Sequence, residues 1–289
     1  MDIKDVDITT HADGKAGFIV ELTKQINLPA VFNRSLTKTG GRPAEISYGV
    51  LAQMMIVNMC DKHHPLSRLA EYYEHKDLEG LFHEQIKIEQ INDDRFGGFL
   101  DAMYEYGAKK LFTEIATNAF MRYGIRVKTI NFDTTSKVMW GSYEGSDGKE
   151  GEISITFGHS KQKRNDKKQI KIGVGTAEGI VVVGEVLSGN IDDKTYNKEK
   201  LDEVEEILDN FKISKEDFHY IADSSLFTEE NLKKAQNKNI KIITRMVDTT
   251  TISKDMKKEI ATKLEDLEEI TFQREKKNAT YKIVERVGN

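Results

Sequence analysis

Two aspartates stand where a chain rarely puts charge. Asp133 follows the apolar run Thr129, Ile130, Asn131, Phe132, and Asp223 closes the run His219, Tyr220, Ile221, Ala222. Each falls within or at the end of a strand that should be central and buried. An ionised carboxylate in low dielectric is costly unless it is paired, hydrogen-bonded or bound to a cation. Neighbouring strands lie about 5 Å apart, so two such carboxylates in one sheet would meet on a shared ion. Oxygen donors of this kind suit Mg2+ or Mn2+. Two such ions about 4 Å apart stabilise both the attacking and the leaving oxygen of a phosphoryl transfer, which points to DNA or RNA phosphodiesters as substrate. Plainer roles fit the same spacing: Asp133 as a turn-starting or capping residue, and Asp223, followed by Ser224 and Ser225, as an N-cap or Asx-turn residue.

A second feature lies between them. From His159 to Lys171 the chain reads HSKQKRNDKKQIK, with Lys161, Lys163, Arg164, Lys167, Lys168 and Lys171 against Asp166 alone. Such a patch offers a phosphate-binding surface beside the strands, or is a solvated lysine-rich turn. The formal net charge of −5 does not oppose it, because charge acts locally. Other chemistry-bearing residues default to structure. Cys60, the sole cysteine, sits in an apolar run and reads as a packed core thiol, which excludes an intrachain disulfide and a cysteine zinc site. His63 and His64 are adjacent, so both cannot face one ion from a regular helix. Trp140 reads as hairpin packing in preference to base stacking. Glu229 and Glu230 fall in the first turn of an expected helix, where the dipole favours acid.

The elements that position these residues change character near Gly124. Before it, apolar residues recur at three- and four-residue spacings: Phe18, Ile19, Leu22 and Ile26, ended near Pro29; then Tyr48, Leu51, Met54, Met55 and Val57 behind Ser47 as N-cap. A turn is expected at Gly40, Gly41, Arg42 and Pro43, and further helices over 66–75, 93–106 and 109–123. After Gly124, β-branched and aromatic runs predict strands over 127–132, 153–157, 170–174, 180–187, 219–222 and 240–244. Helices are expected around 199–209, with a solvated acidic face, and over 228–237 behind Thr228. Strands joined first by turns and then by helices imply a sheet that is antiparallel early and parallel later. With 38% hydrophobic residues the chain can bury a real core. No run approaches the roughly 18 apolar residues of a membrane span, and Met1 opens on a polar stretch, so a cytoplasmic protein without membrane partners is expected.

The blocks FDTTSKVMWGSY, FGHSKQKRNDKKQIKIGV, SGNIDDKTYN and IADSSLFTEENL resemble, in order and spacing, the DDE transposases of bacterial insertion sequences, in the superfamily numbered four. GGRPAEISYGVL, PLSRLAEYYE and INDDRFGGFLD resemble the helical domain that precedes the catalytic core in one branch of it. The resemblance implies an α/β architecture: a helical N-terminal domain over 1–120, then a ribonuclease H-like mixed sheet with flanking helices over 121–289. It implies DNA transposition by metal-dependent phosphodiester hydrolysis and strand transfer at insertion-sequence ends. Asp133 and Asp223 would be the first and second acidic ligands of two Mg2+ or Mn2+ ions. Lys161, Lys163, Arg164 and Lys168 would lie near phosphates, and Asn190 and Asp193 would support a loop. The partners would be terminal-repeat and target DNA, with a homo-oligomer on the DNA. Family members continue to a glutamate in a tyrosine, arginine, glutamate and lysine signature. Here Arg274, Glu275, Tyr281 and Glu285 supply the letters without the order, and 241–289 reads as the start of an inserted β-rich segment. The expectation is therefore a C-terminally truncated, incomplete catalytic domain that is impaired, with uncovered apolar surface. The alternative is a non-catalytic remnant that binds transposon ends or represses transposition.

Overall fold

The computed structural model describes residues 9–36, 45–145, 152–273 and 278–285; the turn expected at Gly40 to Pro43, and Arg274 and Glu275, lie outside them. The first part is helical: α1 (Ala16–Gln25), α2 (Leu28–Ser35), α3 (Tyr48–Cys60), α4 (Leu69–Tyr73), α5 (Leu78–Phe82), α6 (Asp93–Tyr106) and α7 (Ala108–Tyr123). α1 buries Ala16, Val20 and Thr23; of the expected stripe, Ile19 and Ile26 pack partly against the core, while Phe18 is 68% exposed and Leu22 is exposed. Thr23 can be buried because its hydroxyl donates to the Val20 carbonyl at 2.6 Å and accepts from Nε2 of Gln53 at 2.8 Å. Pro29 opens α2 instead of only ending α1, since a first-turn N–H has no helical partner to lose. Ser47 caps α3 as expected, its Oγ accepting from the Val50 amide at 3.3 Å. Cys60 is the last residue of α3 and is exposed, so the expected core thiol is corrected: the buried face of the helix ends before it.

The second part holds β1 (Thr129–Val138), β2 (Gln169–Ala177), β3 (Ile180–Ser188), α8 (Asp193–Phe211), β4 (His219–Ala222), α9 (Glu229–Asn237) and β5 (Lys241–Ile243). These strands form one sheet in the order β3-β2-β1-β4-β5. β1 to β3 pair antiparallel, while β4 pairs parallel to β1 and β5 parallel to β4. This is the expected mixed sheet, antiparallel early and parallel later, with flanking helices. β1 does not stop near Asp133 but runs on to Val138, and the strand expected at 153–157 is reduced to a bridge between Thr156 and Gln169. The segment after β5 forms α10 (Thr251–Lys263) and a hairpin of β6 (Glu269–Phe272) and β7 (Ala279–Lys282), so only its last part is strand-like. No helix among the described residues is long and apolar enough to cross a membrane.

Two hydrophobic cores result, and α7 contributes to both: Leu111 to the helical core, Phe120 to the one under the sheet. α8 lies on the sheet face that carries Ile130, Phe132 and Tyr220, and the last two rings stack with centroids 4.3 Å apart. Gly173 lets α8 approach: a Cβ there would run into the Tyr196 ring. The expected solvated face of α8 is only partly so. Lys200 is 1% exposed, held by Oε1 of Glu185 at 2.5 Å and by Glu203, while Lys109 of α7 reaches Glu203 at 2.7 Å and Glu185 at 3.1 Å. This ion network ties α7, α8 and β3 together. The opposite sheet face carries Asp133, Thr135, Ile172, Val174 and Val186, with Val186 46% exposed.

Candidate functional site

β1 alternates strictly: Ile130, Phe132, Thr134, Ser136 and Val138 are buried, while Asn131, Asp133, Thr135 and Lys137 are exposed. Asp133 therefore stands on a central strand but on its open face, with 65% of its side chain exposed. The expectation of a buried carboxylate is corrected, since strand position and face are separate properties. Its Oδ1 accepts from the Thr134 amide at 2.8 Å and from Nζ of Lys161 at 2.8 Å.

The parallel pairing of β1 with β4 sets Phe132 opposite Ala222, both buried. Asp133 and Asp223 each directly follow this last pair; Asp133 is on the open face of β1, and Asp223, just past the end of β4, is exposed as well. Asp223 remains extended (φ −71°, ψ −172°) and caps the short turn Ser224–Leu226. Its Oδ1 accepts from the Ser225 amide at 2.9 Å and from the Ser225 hydroxyl at 2.5 Å. That hydroxyl accepts from Nδ2 of Asn197 at 2.9 Å, and the same Nδ2 donates to the Asp193 carbonyl at 2.8 Å. Oδ1 of Asn197 accepts from the Tyr220 hydroxyl at 2.8 Å, and burial pushes that phenol well above its usual range, keeping it a donor. The orientation of Asp223 is thus set from the buried core, through Tyr220, Asn197 and Ser225.

Lys161 and Asp193 complete the surroundings. Lys161 also donates to the Thr134 carbonyl and lies 3.9 Å from Oδ2 of Asp193; its amide donates to Oγ of Ser136 at 2.9 Å. Asp193 is the first residue of α8, not part of a polar turn, and its Oδ1 accepts from the Thr134 hydroxyl at 2.5 Å and from buried Lys171 at 3.2 Å. Burial pushes the Asp193 carboxyl up, but the Thr134 hydroxyl, Lys171 and Lys161 outweigh it and hold the group below the usual carboxylate range. The sequence pattern singled out neither Asn197 nor Thr134, marked Ser225 only as a small residue after Asp223 and Lys171 only as part of the basic patch, although all four lie within the resembling blocks.

The basic residues divide. Lys161 is turned to Asp133. Lys163 is exposed, in left-handed backbone at φ 59°. Arg164 pairs with Asp166 through two bonds of 2.7 Å, which hold the Asp166 carboxyl down at about 2, and Lys168 donates to the Tyr143 carbonyl at 2.8 Å. Trp140 corrects the expected hairpin packing: it is 69% exposed, with the Arg164 guanidinium 5.1 Å and Nζ of Lys167 5.3 Å from its ring centre. Glu229 and Glu230 point elsewhere, paired with Lys233 and Lys198.

The donor set fits a hard divalent cation in part. Oδ2 of Asp133 and of Asp223 carries no hydrogen bond among the described residues, and Mg2+ takes one or two carboxylates with water and substrate phosphate. No group of three or more His, Cys, Asp or Glu residues placed to hold an ion occurs among the described residues.

A family model described as Domain of unknown function (DUF4277) matches residues 9–117, the helical part of the chain. No curated protein matches the chain in sequence. Among solved structures, the Mos1 transposase paired-end complex with left transposon end aligns with a TM-score of 0.29 and 12% identity, over 74% of this chain and 62% of that one, so the chain spans less than two thirds of that protein. The Mos1 mariner paired end complex with Mn aligns at 0.29 and 10% identity, over 85% and 79% of the two chains. The piggyBac transposase synaptic complex with hairpin DNA aligns at 0.37 and 11% identity, over 87% and 54%.

Proposed function

We propose that this chain acts in DNA transposition, by metal-dependent hydrolysis and strand transfer of phosphodiesters, with Asp133 and Asp223 as ligands of Mg2+ or Mn2+. The observation that supports this reading is the β1–β4 register, whose last pair, Phe132 and Ala222, directly precedes Asp133 and Asp223 in a five-stranded mixed sheet. A bound ion there would activate the attacking oxygen and stabilise the leaving one. The chain's own residues do the rest. In Asp133 and Asp223 one oxygen is fixed by N–H and O–H donors, while the other takes no hydrogen bond among the described residues. Lys163 and Lys167, on the adjoining loop, supply positive charge for the DNA backbone. Transposon ends and target DNA are the partners in this reading, with a homo-oligomer assembled on them. In this reading the helical part to about residue 120 is the N-terminal domain and the part from 121 onward the catalytic domain.

A second reading, DNA binding without cleavage, draws on two observations: no third carboxylate joins the pair among the described residues, and the Lys161 ammonium already neutralises Asp133. One experiment separates the two. Nicking of supercoiled plasmid in Mn2+ is compared for the parent chain, Asp133→Asn and Asp223→Asn, alongside retention of a labelled duplex. Nicking that both substitutions abolish supports the first reading. Retention without nicking supports the second, and nicking that survives both substitutions removes the aspartates from the chemistry.

A further inference from the structure

We propose that Trp140, backed by Arg164 and Lys167, is a stacking platform for an unpaired base of single-stranded DNA, outside the aspartate site. The inference rests on the DNA-binding part of the reading above, and the two are separated by the test below. Trp140 lies just beyond the end of β1, where Met139 still bonds to the Lys168 carbonyl at 2.9 Å. An indole left 69% exposed at that place adds nothing to the sheet core, and leaving so large an apolar ring in water is unfavourable unless something covers it.

Its surroundings say what the cover is. The guanidinium of Arg164 stands 5.1 Å from the ring centre and Nζ of Lys167 stands 5.3 Å from it, so two cations crowd one aromatic. Arg164 is fixed there in advance by its paired bonds to Asp166, and little ordering remains for a ligand to impose. A protein partner would meet lysines that interface cores avoid. A nucleobase offers a flat π-face to the indole and a phosphate on either side to the cations, the combination by which single strands are held without sequence preference. A base inside a duplex has both faces stacked on its neighbours, so the occupant is unpaired. The loop that carries Arg164 and Lys167 also carries Lys161, which reaches Asp133 at 2.8 Å. The platform stands seven residues beyond Asp133, at most about 23 Å along the chain at the rise of a strand. A strand stacked on Trp140 therefore has its backbone leading along a basic edge towards the aspartates.

Trp140 is the chain's single tryptophan, so its fluorescence reports on this place alone. The full chain without metal is titrated with oligothymidine, with an abasic oligomer of equal length and with a blunt duplex, and anisotropy of the labelled strands measures binding. Oligothymidine is expected to quench the emission, the abasic strand and the duplex are not. Trp140→Ala is expected to weaken oligothymidine binding roughly 5- to 100-fold, while Trp140→Phe keeps most of it. Oligothymidine that binds without quenching, and equally well to Trp140→Ala, would overturn the platform and leave the proposed function standing. Failure of every DNA to bind would overturn both.

Discussion

Nδ2 of Asn197 lies 2.9 Å from Oγ of Ser225, and this contact couples α8 to the turn that carries Asp223. Asn197→Ala removes the acceptor of the buried Tyr220 hydroxyl, so a stability loss of about 1–3 kcal/mol is expected. It also frees Ser225 to turn away from Asp223. Outer partners of this kind set metal affinity by about 10-fold or more. Mn2+ titration followed by electron paramagnetic resonance should show that loss in both Asn197→Ala and Ser225→Ala, whereas urea unfolding should separate them, with the larger loss in Asn197→Ala. Unchanged Mn2+ affinity in both variants would remove the relay.

In the proposed site Lys161 and a divalent cation would compete for the Asp133 carboxylate. With the Lys161–Asp133 pair at 2.8 Å and Asp133 largely exposed, the contact is of the surface kind, where pairs contribute about 0.2–1 kcal/mol. Lys161→Gln should therefore tighten Mn2+ binding by a factor of about 2 to 5 in the absence of DNA. Weaker binding in this variant would show instead that Lys161 holds Asp133 in place for the ion.

Glu203 sets an acid limb of stability. Burial pushes its carboxyl up, but Lys109 and Lys200 outweigh this and hold it below the ordinary glutamate range. A folded-state value below the unfolded one gives stability that is present above the ordinary range and lost as pH falls through the lowered value. Glu203→Gln should cost about 1 kcal/mol near neutral pH, a figure kept small because Glu203 is 34% exposed. The gap between variant and parent in urea midpoint should close as the pH falls below about 4. A gap that stays constant down to acid pH would assign it to packing alone.

Gly173→Ala tests how α8 is seated. The added methyl meets the Tyr196 ring, and overpacking of this kind costs about 1–3 kcal/mol. Since Asn197 follows Tyr196 in the same helix, Mn2+ binding should weaken along with the urea midpoint. A variant as stable as the parent would mean that α8 can shift without loss.

The parts of this fold that local pattern controls were legible before the structure. The caps Ser47 and Thr228 need only a side chain three residues from an amide, and α6 and β4 appear within the expected bounds. The two aspartates stood out because charge after an apolar run is costly. Which face they take was not legible, since alternation along β1 marks two faces without naming the covered one, and inward Thr134 and Ser136 blur even that marking. Asn197, Ser225 and Tyr220 come from α8, the turn after β4 and β4, and nothing local ties them. Cys60 and Trp140 misled for a related reason: Cys60 ends α3 and Trp140 lies two residues past β1, each beyond the point where the buried face stops.

The strand order has a kinetic meaning as well. β1, β2 and β3 are sequential and antiparallel, so this meander closes through contacts nearer in sequence than those of β1 with β4. The β1–β4 pairing must wait for the whole of β2, β3 and α8 to be threaded between its partners, and contacts of such separation form slowly. The segments that carry Asp133 and Asp223 come together only at that closure. In a refolding experiment, β-structure should accordingly appear before the capacity to bind Mn2+, and the lag between the two signals is the time that β4 takes to find its place.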